Sequence, residues 1–187
     1  MEEPAAGARA EPGRWLGSVR AVARALLALP RTVALLFPLV WGGLIWLGSE
    51  FAGQIDGPEI PGMHFLGNGV HAFEFGVLAL LCLPLLPRRS LSHGPWVQLE
   101  APQIAWLLLL VGGYGVFDEL HQAQVPGRIA SPFDALTDLV GAICVVAVAR
   151  LAGRQAATDG ELRGRLLGGL VACSLAAGLA TWNDLQS

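Results

Sequence analysis

The amino-acid sequence predicts an all-α membrane protein, a polytopic bundle of about five transmembrane helices with an amphipathic helix before the first of them. Three observations lead to this prediction. Only 14% of the 187 residues are charged, whereas about 25% are charged in a typical soluble domain. The mean hydropathy is +0.54. The apolar residues also fall into five long stretches, which arginine-rich or acidic segments separate.

The composition excludes several other classes of protein. A disordered chain would carry more charge and fewer apolar residues. The net charge of −3 provides no basic surface for nucleic acid. The cysteines Cys82, Cys144 and Cys173 lie inside apolar runs, so we interpret them as small buried hydrophobic residues and not as a disulfide framework.

Residues 1–31 precede the first apolar stretch, and we expect a cytoplasmic tail followed by an amphipathic interfacial helix. Between Trp15 and Leu29 the apolar residues recur at helical spacing, three arginines form a basic face, and Pro30 ends the helix. Such a helix can lie on the inner leaflet, with membrane lipids as its partner. It can equally pack on the bundle, and the sequence favours neither arrangement.

The transmembrane domain is predicted over residues 32–187. A spanning helix needs about 20 mainly apolar residues, and five stretches meet this requirement or come close to it. We expect the spans at about residues 32–49, 69–86, 102–117, 131–149 and 166–182. Several of these are short, but helical turns whose polar residues face a protein interior can lengthen a span.

The arginines predict how the bundle is oriented. All twelve basic residues are arginine: five precede span one, two follow span two, four lie between spans four and five, and only Arg128 lies on the opposite side. Because arginine-rich loops remain in the cytoplasm, we expect a cytoplasmic N-terminus and an external C-terminus. The chain is therefore predicted to be a multi-pass protein of the inner or plasma membrane.

Two ionisable residues stand at the start of span two. His71 and Glu74 are three positions apart and share one helix face. Glu74 lies about one turn deeper than His71. Because a carboxylate that faces lipid is costly, Glu74 is expected to face the bundle interior or an aqueous pocket.

A second polar group ends span three, where Asp118, Glu119, His121 and Gln122 follow the apolar stretch. A Pro-Gly turn comes next and presents Arg128. The polar residues can be a binding site, or they can be solvated residues at a helix end. Arg128 can bind a ligand, or it can pair with a nearby carboxylate and hold the loop.

The third group opens span four. Ser131 is a suitable cap, Pro132 suits the first helical position, and Asp134 can interact with the amides of the first turn. Asp138 lies one turn deeper on the same face. Since spans two and four begin where span three ends, all three groups are predicted to meet in one pocket at the external membrane boundary. Interhelical hydrogen bonding is the alternative role for Glu74 and Asp138.

Taken together, these residues resemble the VanZ-like membrane protein family, which is associated with teicoplanin resistance. The resemblance covers about residues 33–150. It is carried by the histidine helix at 71–78, by the segment Asp118–Arg128 with its Pro-Gly-Arg turn, and by the residues that open span four: Ser131, Asp134, Asp138 and Gly141. Two positions depart from the family pattern. Gly67-Asn68 stands where the family often has Asp-Lys, and Asp138 stands at an Asn position.

The resemblance implies a binding or accessory protein of the bacterial cell envelope, with a polar pocket at the outer leaflet and a link to glycopeptide (teicoplanin) resistance. The expected ligand is amphiphilic: a lipid, a lipid-linked precursor or a lipoglycopeptide. Arg128 would meet an anionic headgroup, because a guanidinium forks well onto phosphate or carboxylate. The predicted binding residues are His71, Gln122, Arg128, Asp134 and Asp138.

The alternative is a membrane-embedded hydrolase that acts on a lipid or cell-wall precursor. Its catalytic residues would be Glu74, Asp118 and Glu119. A divalent metal ion is the one cofactor considered, and its ligands would be His71, Glu74, His121 and Asp138. The sequence leaves open whether the protein is an enzyme. Small residues in span five suit a homo-oligomer as well as packing within one chain.

Overall fold

A computed structural model describes residues 13–52, 62–91, 94–126 and 130–186 of the chain. Its helices are α1 (Arg14–Ala28), α2 (Arg31–Ala52), α3 (Met63–Cys82), α4 (Ala101–Gln122), α5 (Pro132–Ala152) and α6 (Asp159–Asp184). A short 3-10 turn, Leu83–Leu85, follows α3. An antiparallel hairpin of β1 (Arg88–Leu91) and β2 (Gly94–Val97) connects it to α4.

Five of the described helices, α2 to α6, are long and apolar enough to cross a membrane. This confirms the predicted all-α membrane bundle. The helices extend beyond the apolar stretches from which they were predicted. Helix α3 begins at Met63 and α4 continues to Gln122, so both contain the polar turns that were expected to lengthen the spans. The orientation of the bundle in the membrane stays a prediction.

Helix α5 lies at the centre of the bundle and packs against α3, α4 and α6. Its approach to α3 is close, because a Cβ added at Gly141 would overlap the backbone carbonyl of Ala72. Gly76 faces the same contact: its Cβ would lie 3.4 Å from the carbonyl oxygen of Gly141. Small residues thus bring the α3 and α5 backbones together, as in other membrane helix pairs.

The predicted amphipathic helix is present as α1, and it packs on the bundle. The carboxylate of Asp159 accepts hydrogen bonds from the backbone N–H groups of Trp15 and Leu16, at 3.2 and 2.8 Å. The guanidinium of Arg20 is buried and donates to the carbonyl oxygens of Ala152 and Arg154 at the end of α5. Burial lowers the pKa of Arg20 from its usual value, and the charge of Arg24 lowers it further.

The hairpin was not predicted from the sequence, which suggested only a basic loop between spans two and three. It is held by tertiary contacts. The Trp96 ring is 2% exposed, and its Nε1 donates to the carbonyl oxygen of Ala149 at 3.1 Å. A Cβ at Gly153 would lie 2.7 Å from the indole. Strands this short depend on such packing, because an isolated hairpin is marginally stable at best.

Candidate functional site

A set of buried polar side chains lies at the end of the bundle where α2 and α4 end and α3 and α5 begin. We call this set the polar cluster. Each member is at most 8% exposed, although most of them can ionise or form several hydrogen bonds. Its members are Ser49, His71, Asp118, Glu119, Gln122, Ser131, Asp134, Thr137 and Asp138.

The cluster centres on an interhelical contact between His71 and Asp138. Nδ1 of His71 lies 3.2 Å from Oδ1 of Asp138. His71 is eight residues into α3 and Asp138 is six residues into α5, which places them about 12 and 9 Å along their helices. The histidine therefore lies deeper than was expected from a helix that begins near residue 69.

Glycine makes room for this contact. A Cβ added at Gly115 of α4 would lie 2.7 Å from Oδ2 of Asp138. Any side chain at this position would push against the carboxylate. Together with the close approach at Gly141, the glycine lets groups from three helices meet at Asp138.

Asp118 connects α4 to α2. Its carboxylate accepts from the hydroxyl of Ser49 at 2.8 Å and from Nε2 of Gln122 at 2.7 Å. Gln122 is one helical turn beyond Asp118, so the sequence spacing predicted that these two share a face. Ser49 comes from another helix, and only the packing of α2 brings it to Asp118.

Glu119 connects α4 to the start of α5. Its Oε2 accepts from the backbone N–H of Ser131 at 2.7 Å. The Ser131 hydroxyl in turn accepts from the backbone N–H of Phe133 at 3.2 Å, which makes it the N-cap of α5. Ser131 thus has the cap geometry that was expected and also anchors a buried carboxylate.

The described cluster is rich in acceptors and negative charge. Its nine members include four carboxylates and one histidine, but no lysine or arginine. Two fully enclosed oxygens, Oε1 of Glu119 and Oδ2 of Asp138, have no hydrogen-bond partner within the described residues. Buried acceptors of this kind are costly. A bound cation, protons or the donor groups of a ligand can offset that cost. Arg128, the predicted anion contact, lies outside the described residues.

Three members of the cluster lie close enough together that they could hold a metal ion. One potential ligand atom each from His71, Asp118 and Glu119 lies within 4.8 Å of the other two. Histidine nitrogen and carboxylate oxygen are ligands that divalent metals accept. Of this trio, only His71 belongs to the metal set that was predicted from the sequence.

Two predicted site residues are engaged with α2. Nε2 of His121 lies 3.0 Å from Oε2 of Glu50, and its ring stacks on Trp46 with the ring centroids 4.0 Å apart. Glu74 is partly buried, and its backbone carbonyl accepts from Nε1 of Trp41 at 2.9 Å. The His121 side chain and the Glu74 backbone therefore contact α2, whereas the His71 side chain contacts α5.

The sequence interpretation missed the contribution of α2. Trp46, Ser49 and Glu50 all contact residues of α4 that were predicted to be in the site. A signal was available, because Ser49 and Glu50 end the first apolar stretch at the same predicted membrane level as the other groups. Asn68 was noted only as a departure from the family pattern, yet it donates to Asp184 and Thr181 of α6 at 2.8 and 3.2 Å.

A protein-family model described as VanZ/LLP1 matches residues 18–153 of the chain. The match extends from the first half of α1 to the end of α5 and includes every member of the polar cluster. Helix α6 lies beyond it. No curated protein and no solved structure matches the chain.

Proposed function

The chain belongs to the VanZ-like family of membrane proteins, and we propose that its polar cluster binds the headgroup of an amphiphilic, lipid-linked ligand of the bacterial cell envelope. The observation that carries this proposal is the pair of buried, unsatisfied oxygens on Glu119 and Asp138. They come from different helices. Both belong to the polar cluster, in which side chains from α2, α3, α4 and α5 meet.

The chemistry of the described cluster favours a ligand rich in hydrogen-bond donors. Ammonium, amide and hydroxyl groups would donate to Oε1 of Glu119 and Oδ2 of Asp138. An anionic group on the same ligand would be met by Arg128, as the sequence predicts. The apolar part of the ligand would lie along the exposed apolar side chains beside the cluster, among them Phe117, Leu120 and Leu136.

The distribution of arginines predicts that this end of the bundle lies at the outer leaflet. Precursors and antibiotics of the cell wall are met on that side. We therefore propose that the protein lowers the effect of glycopeptides of the teicoplanin type by binding a lipid-linked precursor or the lipoglycopeptide itself. The observations that support this role are the family membership and the level of the cluster in the bundle.

Binding to the purified protein tests the proposal. Glu119→Gln changes one acceptor oxygen to an amide and should weaken binding of teicoplanin, or of a lipid-linked wall precursor, by about tenfold. Glu100→Gln is the matched control, because Glu100 is an exposed carboxylate at the other end of α4. Equal affinities of the wild type and both variants for both ligands would contradict the proposal.

A second function, metal-dependent hydrolysis of a lipid or wall precursor, is favoured by the grouping of His71, Asp118 and Glu119. A divalent ion held there would supply Lewis-acid chemistry and activate water, while a neighbouring carboxylate such as Asp138 would accept the proton. Metal analysis of the purified protein separates the two functions. Stoichiometric metal that His71→Asn removes, together with precursor hydrolysis, supports the enzyme. Metal-free protein that still binds the ligand supports the binding protein.

A further inference from the structure

An apolar cavity of about 540 Å³ lies at the opposite end of the bundle from the polar cluster. Helix α1 covers it on one side, and α3, β2, α5 and α6 form the other walls. Its volume falls within the range of about 300–1,000 Å³ that small-molecule sites usually have. Almost all of its lining is aliphatic or aromatic, including Leu26, Leu83, Trp96, Val148 and Leu170.

The cavity has an entrance on the apolar outer surface of the bundle. Leu166 and Leu170 of α6 line it and are 53% and 65% exposed. On α1, Val22 lines it and is 61% exposed. Since these side chains belong both to the cavity wall and to a surface that faces lipid in a membrane-spanning bundle, an acyl chain can reach the cavity without crossing water.

One cation lines the cavity. Arg165 of α6 is exposed, and its guanidinium makes no hydrogen bond or ion pair with the residues that the structure describes. It lies near Arg163 and on the arginine-rich side of the chain. An exposed arginine in the wall of an apolar cavity is complementary to a molecule with a hydrocarbon chain and an anionic headgroup.

Hydrogen bonds hold α1 in place next to the cavity. Asp159 holds the first turn of α1, and Arg20 holds its middle to the end of α5. These polar contacts keep the helix in place although the space beneath it is unfilled by side chains. The cavity is therefore part of the packed fold.

From these observations we propose that the cavity binds one acyl chain of an anionic phospholipid, with Arg165 in contact with the lipid phosphate. This lipid site is separate from the proposed function of the polar cluster and does not depend on it. By the positive-inside rule it takes its lipid from the cytoplasmic leaflet, where anionic headgroups attract basic segments.

The test measures phospholipid retained by the full-length protein in mild detergent, using native mass spectrometry with added phosphatidylglycerol or phosphatidylcholine. The wild type should retain one phosphatidylglycerol per chain and bind it more tightly than phosphatidylcholine. Arg165→Gln should weaken phosphatidylglycerol binding about fivefold, the effect of one basic residue near an anionic headgroup. The matched control is Arg163→Gln, since Arg163 is also exposed on α6 but does not line the cavity.

A second pair of variants tests the cavity itself. Val148→Trp should fill it and abolish retention of the lipid, whereas Ile143→Trp, at an exposed position of α5 outside the cavity, should leave retention unchanged. Equal affinity for the two lipids would overturn the proposal. So would equal losses in Arg165→Gln and Arg163→Gln, or full retention in a folded Val148→Trp protein. If Val148→Trp does not fold, the arginine pair decides.

Discussion

Nδ1 of His71 lies 3.2 Å from Oδ1 of Asp138, and this contact joins α3 to α5 at the centre of the polar cluster. Both residues are buried, at 8% and 0% exposure. Removal of either side chain leaves the other buried without its partner. The free-energy cost of that unpaired group exceeds the stabilisation that the contact itself provides.

A double-mutant cycle measures this contact. We expect His71→Ala and Asp138→Ala each to lower the free energy of unfolding, and the double variant to lose less than the sum by about 1 kcal/mol or more. The reason is that the second substitution removes the group that the first left without its partner. Reversible unfolding of the purified protein in detergent gives the energies. Strictly additive losses would show that the two side chains do not interact.

The close approach of α3 and α5 leads to a prediction for Gly141. Gly141→Ala places a Cβ against the backbone carbonyl of Ala72, so the helices must separate at a cost of about 1–3 kcal/mol. Gly164→Ala is the control, because a Cβ there meets no described atom within 4 Å. Thermal unfolding compares both variants with the wild type. Only Gly141→Ala is expected to lower the midpoint temperature. Equal midpoints would mean that the helices do not approach this closely.

Arg20 is expected to hold α1 on the bundle. Arg20→Ala removes the donors to the carbonyl oxygens of Ala152 and Arg154, and loss of such a charged hydrogen bond costs about 1.5–3 kcal/mol. α1 should then exchange its amide hydrogens faster, which hydrogen–deuterium exchange would detect. Arg14→Ala serves as the control because Arg14 is exposed on the same helix. A protected α1 in Arg20→Ala would contradict this role.

The orientation of the bundle can be tested with thiols. In a chain without its native cysteines, Gln186→Cys should react with a membrane-impermeant reagent in intact cells, because the C-terminus is predicted to be external. Ser90→Cys, at an exposed position of β1, should react only after the cells are permeabilised. The reverse pattern of labelling would place the polar cluster at the inner leaflet and exclude its proposed role at the outer surface.

Much of the fold follows from the sequence because membrane helices are specified locally. Whether an apolar stretch can span the membrane depends on its own length and composition. Likewise, Ser131 followed by Pro132 favours a helix start whatever the helix packs against. The level of the site could also be predicted, since helices that alternate in direction bring the start of α3, the end of α4 and the start of α5 to one boundary. The match of residues 18–153 to a family model agrees with the resemblance that those motifs indicated.

The partners of each side chain could not be predicted in the same way. His71 and Glu74 share a face by spacing, yet His71 contacts Asp138 of α5, while the Glu74 backbone contacts Trp41 of α2. The sequence also gave no indication that the His121 ring stacks on Trp46 of α2. Helical periodicity gives the face on which a residue lies, but the rotation of one helix against another depends on how their surfaces fit.

The sequence by itself therefore determined the class of the protein, the number of spans and the level at which its polar groups meet, since these depend on hydropathy and chain direction. Only the tertiary structure decided which groups touch. That decision rests on short-range sterics, such as the room that Gly115 and Gly141 leave for Asp138 and Ala72. The contact of the hairpin with α5 and the cavity next to α1 were also decided by packing. Both depend on side chains that are distant in the chain and become adjacent only in the folded protein.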